Sequence, residues 1–259
     1  MMNLPLQGLK VLNTRPLSAA KELSMAIKAA GGIALNCPAL LIKPVKTNKL
    51  RFIQTLHDIR IAVFISANAV HFGLKQLKER NISWPASIEV IAIGKKTAFA
   101  LRKHHIHVSC QPEISDSEHL IQLSILQDIR NQSILLFKGK NGRTLIEQTL
   151  IDRGAKLTVA EVYKRGMPPY NKSKIDFIWH DNTIDIILFT SEQAMHNLFK
   201  MFGREAYQWL CDKPCLVISE RLAKSATRLG IKHILISTPE TVFDTLCHYN
   251  QGLIHGQQQ

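Results

Sequence analysis

Short apolar runs punctuate the chain at residues 11–13, 62–65, 90–93, 133–137, 184–189, 216–218 and 233–236. They are rich in Ile, Val and Leu and lack polar alternation, which predicts strands buried on both faces of parallel sheets. Between them, residues 19–30, 67–80, 97–103, 117–126, 144–153, 192–202, 221–229 and 241–249 carry apolar positions at three- and four-residue spacing, the signature of amphipathic helices. Several of these stretches close on glycine, at Gly31, Gly154 and Gly230. Strand and helix alternate throughout, so the expected class is α/β with doubly wound parallel sheets. The polar tail, residues 252–259, is expected to be disordered.

The pattern also repeats. Val11-Leu12-Asn13-Thr14-Arg15, a helical stretch ending at Gly31-Gly32, and Ile33-Ala34-Leu35-Asn36 return as Ile134-Leu135-Leu136-Phe137-Lys138, a stretch ending at Gly154-Ala155, and Lys156-Leu157-Thr158-Val159. At nearly the same offset, Val63-Phe64-Ile65-Ser66-Ala67-Asn68-Ala69 returns as Leu188-Phe189-Thr190-Ser191-Glu192-Gln193-Ala194, and Ile91-Ala92-Ile93-Gly94 as Cys215-Leu216-Val217-Ile218-Ser219. Two similar domains with a cleft between them are expected. Pro38 to Pro44 and Glu161 to Pro169 interrupt the alternation at matching positions, the natural places for a two-stranded inter-domain linker.

Composition narrows the class. With 259 residues, of which 46% are hydrophobic, the chain can bury one large core or two ordinary ones. The N-terminus lacks a basic start followed by a long apolar run, and no stretch approaches the length of a membrane span, so a soluble cytoplasmic protein is expected. Cys37, Cys110, Cys211, Cys215 and Cys247 are odd in number and unpatterned in spacing, as for reduced thiols acting as small hydrophobes. Thirty-three Lys and Arg against 20 Asp and Glu leave a net charge of +13, which points to an anionic partner or simply keeps the protein soluble. The basic residues are scattered, aromatics are 7% of the chain and no nucleic-acid module is recognisable, so a small polyanion is favoured over nucleic acid.

Candidate chemistry lies where strands end, because ligands of open α/β sheets bind beyond the carboxyl ends of strands and the next helix's free N–H groups attract anions. Ser66-Ala67-Asn68, Gly94-Lys95-Lys96-Thr97, Thr190-Ser191-Glu192 and Ser219-Glu220-Arg221 share that form. Lys138-Gly139-Lys140-Asn141-Gly142-Arg143 adds three basic residues and two glycines after a buried run, with Arg15-Pro16 as its counterpart. Helix capping alone also accounts for each Ser or Thr. Gly94-Lys95-Lys96-Thr97 lacks the first glycine and the hydroxyl position of a triphosphate loop, no G-x-G-x-x-G follows either first strand, and Ser66 and Ser191 lack a nucleophile elbow. Neither His104, His105 and His107 nor the Cys211 and Cys215 pair has partner ligands for a metal. No metal and no cofactor are expected.

Thr14-Arg15-Pro16, Phe64-Ile65-Ser66-Ala67-Asn68-Ala69-Val70, Ala92-Ile93-Gly94-Lys95-Lys96-Thr97-Ala98, Lys138-Gly139, Arg153-Gly154-Ala155 and Val162-Tyr163-Lys164-Arg165 together resemble uroporphyrinogen-III synthase, over about residues 10 to 246. The resemblance implies an enzyme that closes the linear tetrapyrrole hydroxymethylbilane into uroporphyrinogen III, with inversion of the last pyrrole ring, loss of water and no cofactor. It also implies that the first strand and helix pack with the C-terminal half. Residues 1–36 with 169–259 then form one discontinuous domain and 40–162 the other, with 37–39 and 163–168 as linkers. The repeat alone would equally permit a tandem.

The substrate so implied is a polycarboxylate, which backbone amides and cationic side chains suit, and the positive balance of the chain fits it. Arg15, Ser66, Ala67, Asn68, Thr97, Lys138, Gly139, Ser191 and Ser219 are the expected substrate-binding positions. Leu222 stands where the family often has Thr, so Ser219 takes its place, and Lys138 stands where Arg is common. The pyrrole nitrogen can expel the terminal hydroxyl unaided, and free substrate cyclises spontaneously to the uninverted isomer I, so positioning is the main task. Tyr163 is the candidate donor to the departing hydroxyl, its competing role being a tyrosine that only packs. A monomer that binds neither nucleic acid nor membrane is expected. The competing class is a non-catalytic two-domain binding protein for a small polyanion.

Overall fold

The computed structural model describes residues 4–45 and 56–256, and it divides into two compact units, Met1–Leu41 with Gly166–Gln259, and Ile42–Arg165. The strands are β1 (Lys10–Asn13), β2 (Ile33–Asn36), β3 (Leu41–Pro44), β4 (Ile61–Phe64), β5 (Glu89–Ala92), β6 (Ser133–Gly139), β7 (Lys156–Gly166), β8 (Ile186–Phe189), β9 (Cys215–Val217) and β10 (Ile234–Ile236). Among the described residues they form two five-stranded sheets, in the orders β10-β9-β8-β1-β2 and β3-β7-β6-β4-β5. The pairings of β1 with β2 and β8, of β9 with β8 and β10, of β4 with β5 and β6, and of β6 with β7 are all parallel.

Each sheet is covered on both faces, which is why its strands read as unbroken apolar runs. In the first unit Leu12, Ile187, Phe189, Cys215 and Val217 enter one core, packed under Met195, Leu198 and Phe202 of the helix Glu192–Phe202. The alternate residues Val11, Ile186, Leu188 and Leu216 enter the other, under Leu23 and Ile27 of the helix Leu17–Ala29 and Val242 and Leu246 of the helix Val242–Gly256. In the second unit Phe64, Ala92, Leu135 and Phe137 face Val70, Leu74 and Leu77 of the helix Ala67–Lys78. Ile61, Val63, Ile91, Ile134 and Leu136 face Ile146 and Leu150 of the helix Leu145–Asp152. Gly31 and Gly154, at φ +84° and +79°, supply the left-handed residue that turns the chain just beyond two of these helices.

Several expectations need correction. Residues 117–126 are not one helix: a turn of α-helix, Ser117–Leu120, is followed by a 3₁₀ turn, Ser124–Leu126. At the break the Arg153 guanidinium donates to the carbonyls of Ile121 (2.7 Å) and Leu126 (2.8 Å), taking up the Ile121 carbonyl that a continuous helix would give to residue 125. Two further helices, Lys172–His180 and Tyr207–Asp212, carry too few buried positions to show in the apolar pattern. Residues 252–256, expected in a disordered tail, continue the helix Val242–Gly256, whereas 257–259 lie outside the described residues. Cys37 and Ala39, expected in a linker, and Leu40, expected in the 40–162 domain, are buried in the first unit's core, and backbone bonds from Cys37 and Ala39 to the carbonyls of Asn13 and Thr14 hold them there. Residues 163–166 form the end of β7, which is compatible with a stranded linker, and the two units divide between Arg165 and Gly166.

Candidate active site

The second unit brings three of the expected residues into contact at the carboxyl ends of adjacent strands. Ser66 follows β4 and caps the helix Ala67–Lys78, its Oγ accepting from the Ala69 amide at 3.0 Å. The same Oγ lies 3.1 Å from the phenol oxygen of Tyr163, on β7. Between β4 and β7 runs β6, and its last residue, Gly139, leaves the space the tyrosine crosses: a Cβ there would meet Tyr163 Cζ at 2.6 Å and the phenol oxygen at 2.9 Å. The register shift between Lys138 and Gly139 pairs Gly139 with Tyr163 and re-aims the strand end. Tyr163 is only 3% exposed; Phe72 stacks on its ring at 5.9 Å and the Arg165 guanidinium lies 6.0 Å from the ring centre.

Other expected positions in this unit surround that cluster in sequence. Ala67 is exposed and Asn68 half-buried in the first turn after Ser66. Thr97 is buried in the first turn of the helix Lys95–Arg102, preceded by Gly94, where a Cβ would collide with Ser115 Oγ. Ser115 therefore packs against this turn, a contact that no spacing in the sequence reveals.

Lys138 departs from expectation. The sequence presents it as a cation for the substrate, but its side chain is 4% exposed, forms an ion pair with Glu147 and donates to the Arg143 carbonyl at 3.3 Å. Its position on β6 gives the reason: it shares a face with Ile134 and Leu136, toward the helix Leu145–Asp152 that carries Glu147. Burial pulls its pKa down, opposed by the charge of Glu161. The exposed cations of this segment are Lys140 and Arg143, the latter paired with Glu118 at 3.2 Å.

In the first unit, Arg15, Ser191 and Ser219 stand just beyond the ends of β1, β8 and β9. Ser191 Oγ caps its helix by accepting from Ala194 at 3.2 Å, and Ser219 Oγ from Leu222 at 3.3 Å. The Thr14 hydroxyl donates to the Leu188 carbonyl at 2.6 Å, which ties the end of β1 to β8 and places Arg15 there. Burial lowers the pKa of the Arg15 guanidinium, with Glu22 opposing; it stays cationic at neutral pH. Among the described residues, no group of three or more His, Cys, Asp or Glu is placed to hold a metal, and no helix is long and apolar enough to cross a membrane.

A family model described as uroporphyrinogen-III synthase HemD matches residues 21–246. The uroporphyrinogen-III synthase of Escherichia coli strain K12 is 30% identical over 233 residues, spanning 88% of this chain and 95% of the relative. That of Salmonella typhimurium strain LT2 is 31% identical over 239 residues, with the same two coverages, 88% and 95%. Among solved structures, a mutant uroporphyrinogen III synthase from Thermus thermophilus aligns with a TM-score of 0.66 at 16% identity, over 97% of this chain and 100% of its own. The uroporphyrinogen-III synthetase of Helicobacter pylori 26695 gives 0.63 at 16%, over 95% and 99%. At such identities the structural likeness speaks to fold alone.

Proposed function

Because the chain belongs to the uroporphyrinogen-III synthase family, we infer that it converts hydroxymethylbilane to uroporphyrinogen III, a cyclising loss of water that inverts the last pyrrole ring. Tyr163 carries the assignment of roles. A phenol O–H can give its proton to the departing hydroxyl, which then leaves as water. The geometry suits that donation. Ser66 Oγ already accepts from the Ala69 amide, so it can turn its own O–H toward Tyr163 and leave the phenol proton directed elsewhere. Gly139 keeps the space beside the phenol oxygen free of a side chain.

Substrate carboxylates are proposed to meet the N–H groups of the first helical turns after Ser66, Thr97, Ser191 and Ser219, with Ala67, Asn68 and Gly139 contributing backbone and Arg15 charge. Lys138 is left out of that set because its ammonium is turned into the protein. The pyrrole nitrogens supply the electron pairs for both bond breaking and ring closure, and the proton lost from the attacked ring carbon as the last pyrrole regains its aromaticity returns to the phenolate, so the protein's tasks are orientation and the relay of one proton. We further propose a cytoplasmic monomer that works without metal or cofactor.

The test is incubation of the purified chain, chelator present, with enzymically generated hydroxymethylbilane, followed by isomer analysis. Isomer III is expected. Isomer I alone, at the spontaneous rate, would refute the assignment, and ligand affinity without turnover would identify a binding protein instead.

A further inference from the structure

The turn joining β6 to the helix Leu145–Asp152 has an unusual fastening. Thr144 occupies the N-cap position but makes no side-chain capping bond. Glu147, the third residue of the helix, is where a capping-box carboxylate would reach back to the cap. Here it takes the Lys138 ammonium instead, and Lys138 also holds the carbonyl of Arg143, the residue before the cap. The two ends of the turn are thus secured by one buried side chain. Gly142 lies against it, since a Cβ there would sit 3.5 Å from Lys138 Cε and 3.4 Å from the Gly139 carbonyl. On the opposite side, the Lys140 amide donates to the Tyr163 carbonyl at 2.7 Å, and Gly139 lies against the Tyr163 ring. Any shift of the turn must therefore move the surroundings of the phenol.

We propose that Lys138 and Glu147 act as a positioning pair, which fixes the turn at residues 139–143 against Tyr163 and so sets where the substrate's reacting end is held. The proposal rests on reading this site as that of a uroporphyrinogen-III synthase. Neither residue touches substrate; both act through the turn. A lysine free to bind a carboxylate would behave oppositely when Glu147 is removed, because losing its internal partner would release it toward the ligand.

Two measurements decide the matter. In the unaltered protein, trace labelling with acetic anhydride, mapped by mass spectrometry, is expected to modify Lys140 readily and Lys138 only on unfolding. Equal labelling of the two in the native state would overturn the proposal without any variant being made. In steady-state assays with isomer analysis, Lys138→Met and Glu147→Ala are each expected to lower kcat/KM by about 10- to 100-fold, as for groups displaced from a productive geometry. Most of that loss should appear in KM, with the product shifting toward isomer I. A fall in kcat at unchanged KM would indicate only a smaller folded fraction, and a lower KM in Glu147→Ala would show Lys138 to be a substrate ligand; either result refutes the positioning role. Isomer I alone from the unaltered protein would refute the assignment of the reaction, whereas the labelling result stands apart from activity.

Discussion

The Ser66 hydroxyl and the Tyr163 phenol oxygen lie 3.1 Å apart although 97 positions separate them in sequence. They meet because the sheet order places β6 between their strands and β6 ends in Gly139, over which the tyrosine reaches. Residues from three neighbouring strands and their ends thus form one unit, with the amide of Ala69 fixing the serine.

Tyr163→Phe removes the donor and keeps the ring. General acid catalysis is worth roughly 10²- to 10⁴-fold, and a substrate that ionises readily needs less, so kcat is expected to fall toward the low end of that range or below it. Unfolding in urea should show a loss of about 1 kcal/mol for the hydrogen bond to Ser66. Ser66→Ala should cost about 1 kcal/mol for the lost cap, as should Ser219→Ala. Combined with Tyr163→Phe, only Ser66→Ala should be non-additive, because Ser66 alone of the two serines bonds to the phenol. Equal additivity for both serines, or an unchanged kcat in folded Tyr163→Phe, would return the tyrosine to a packing role.

Gly139→Ala tests the crossing. The new Cβ would stand 2.6 Å from Tyr163 Cζ, so the ring must move, at a cost of about 1–3 kcal/mol typical of overpacking. Gly166→Ala is the control, since its Cβ would meet nothing within 4 Å. Melting temperature and isomer ratio should change in the first variant and hold in the second. A Gly139→Ala protein with unaltered stability and product would refute the crowding argument.

The repeat is legible because whole apolar strands recur. Its spatial meaning is not. By the sequence match β1, β2, β4 and β5 correspond to β6, β7, β8 and β9, and the sheets contain β2-β1-β8-β9 and β7-β6-β4-β5, the same spatial order. The halves have exchanged partners, and nothing in apolar periodicity distinguishes that from a tandem, since each strand's own pattern is the same in both. Even the parallel bridge between Ile91 and Cys110 occupies the place that β10 takes beside β9. Capping serines are readable from strand-end position. The inward turn of Lys138 is less so: its parity with Ile134 and Leu136 is available, but a lysine in a glycine-rich, basic segment reads as exposed.

Alkaline pH should destabilise the fold through Cys215. This thiol is fully buried in the first unit's core, and desolvation pushes its pKa up from 9.0 to about 12. Below pH 9 both folded and unfolded chains hold the proton and the thiol's burial contributes in full. Above that pH the unfolded chain releases it while the folded chain does not, so stability falls by about 1.4 kcal/mol per pH unit for this group until its folded pKa is reached. Cys37, raised to about 11 for the same reason, should add a similar slope over a narrower range. Urea midpoints from about pH 8 to about pH 10.5 should therefore decline less steeply in Cys215→Ala than in the unaltered protein. Parallel declines would show that the thiol does not carry the effect.

The exchanged halves make a prediction about folding that a tandem does not share. A fragment of residues 40–162 contains β4, β5, β6 and most of β7, together with the helices that cover them, and should unfold cooperatively by itself. A fragment of residues 169–259 retains β8, β9 and β10 but loses β1 and β2. The edge of β8 that pairs with Val11, Leu12 and Asn13 would be bare, and Ile186, Leu188 and Leu216 would lose Leu23 and Ile27 of the helix Leu17–Ala29 from their cover. Exposing both an unpaired strand edge and an apolar face should leave this fragment unfolded or aggregating. Adding residues 1–36 in trans, or through a flexible linker, should restore helical circular dichroism and slow amide exchange in β8. If 169–259 folds cooperatively alone while 40–162 does not, the two sheets are not independent folding units, and the interleaved arrangement is not what stabilises the chain.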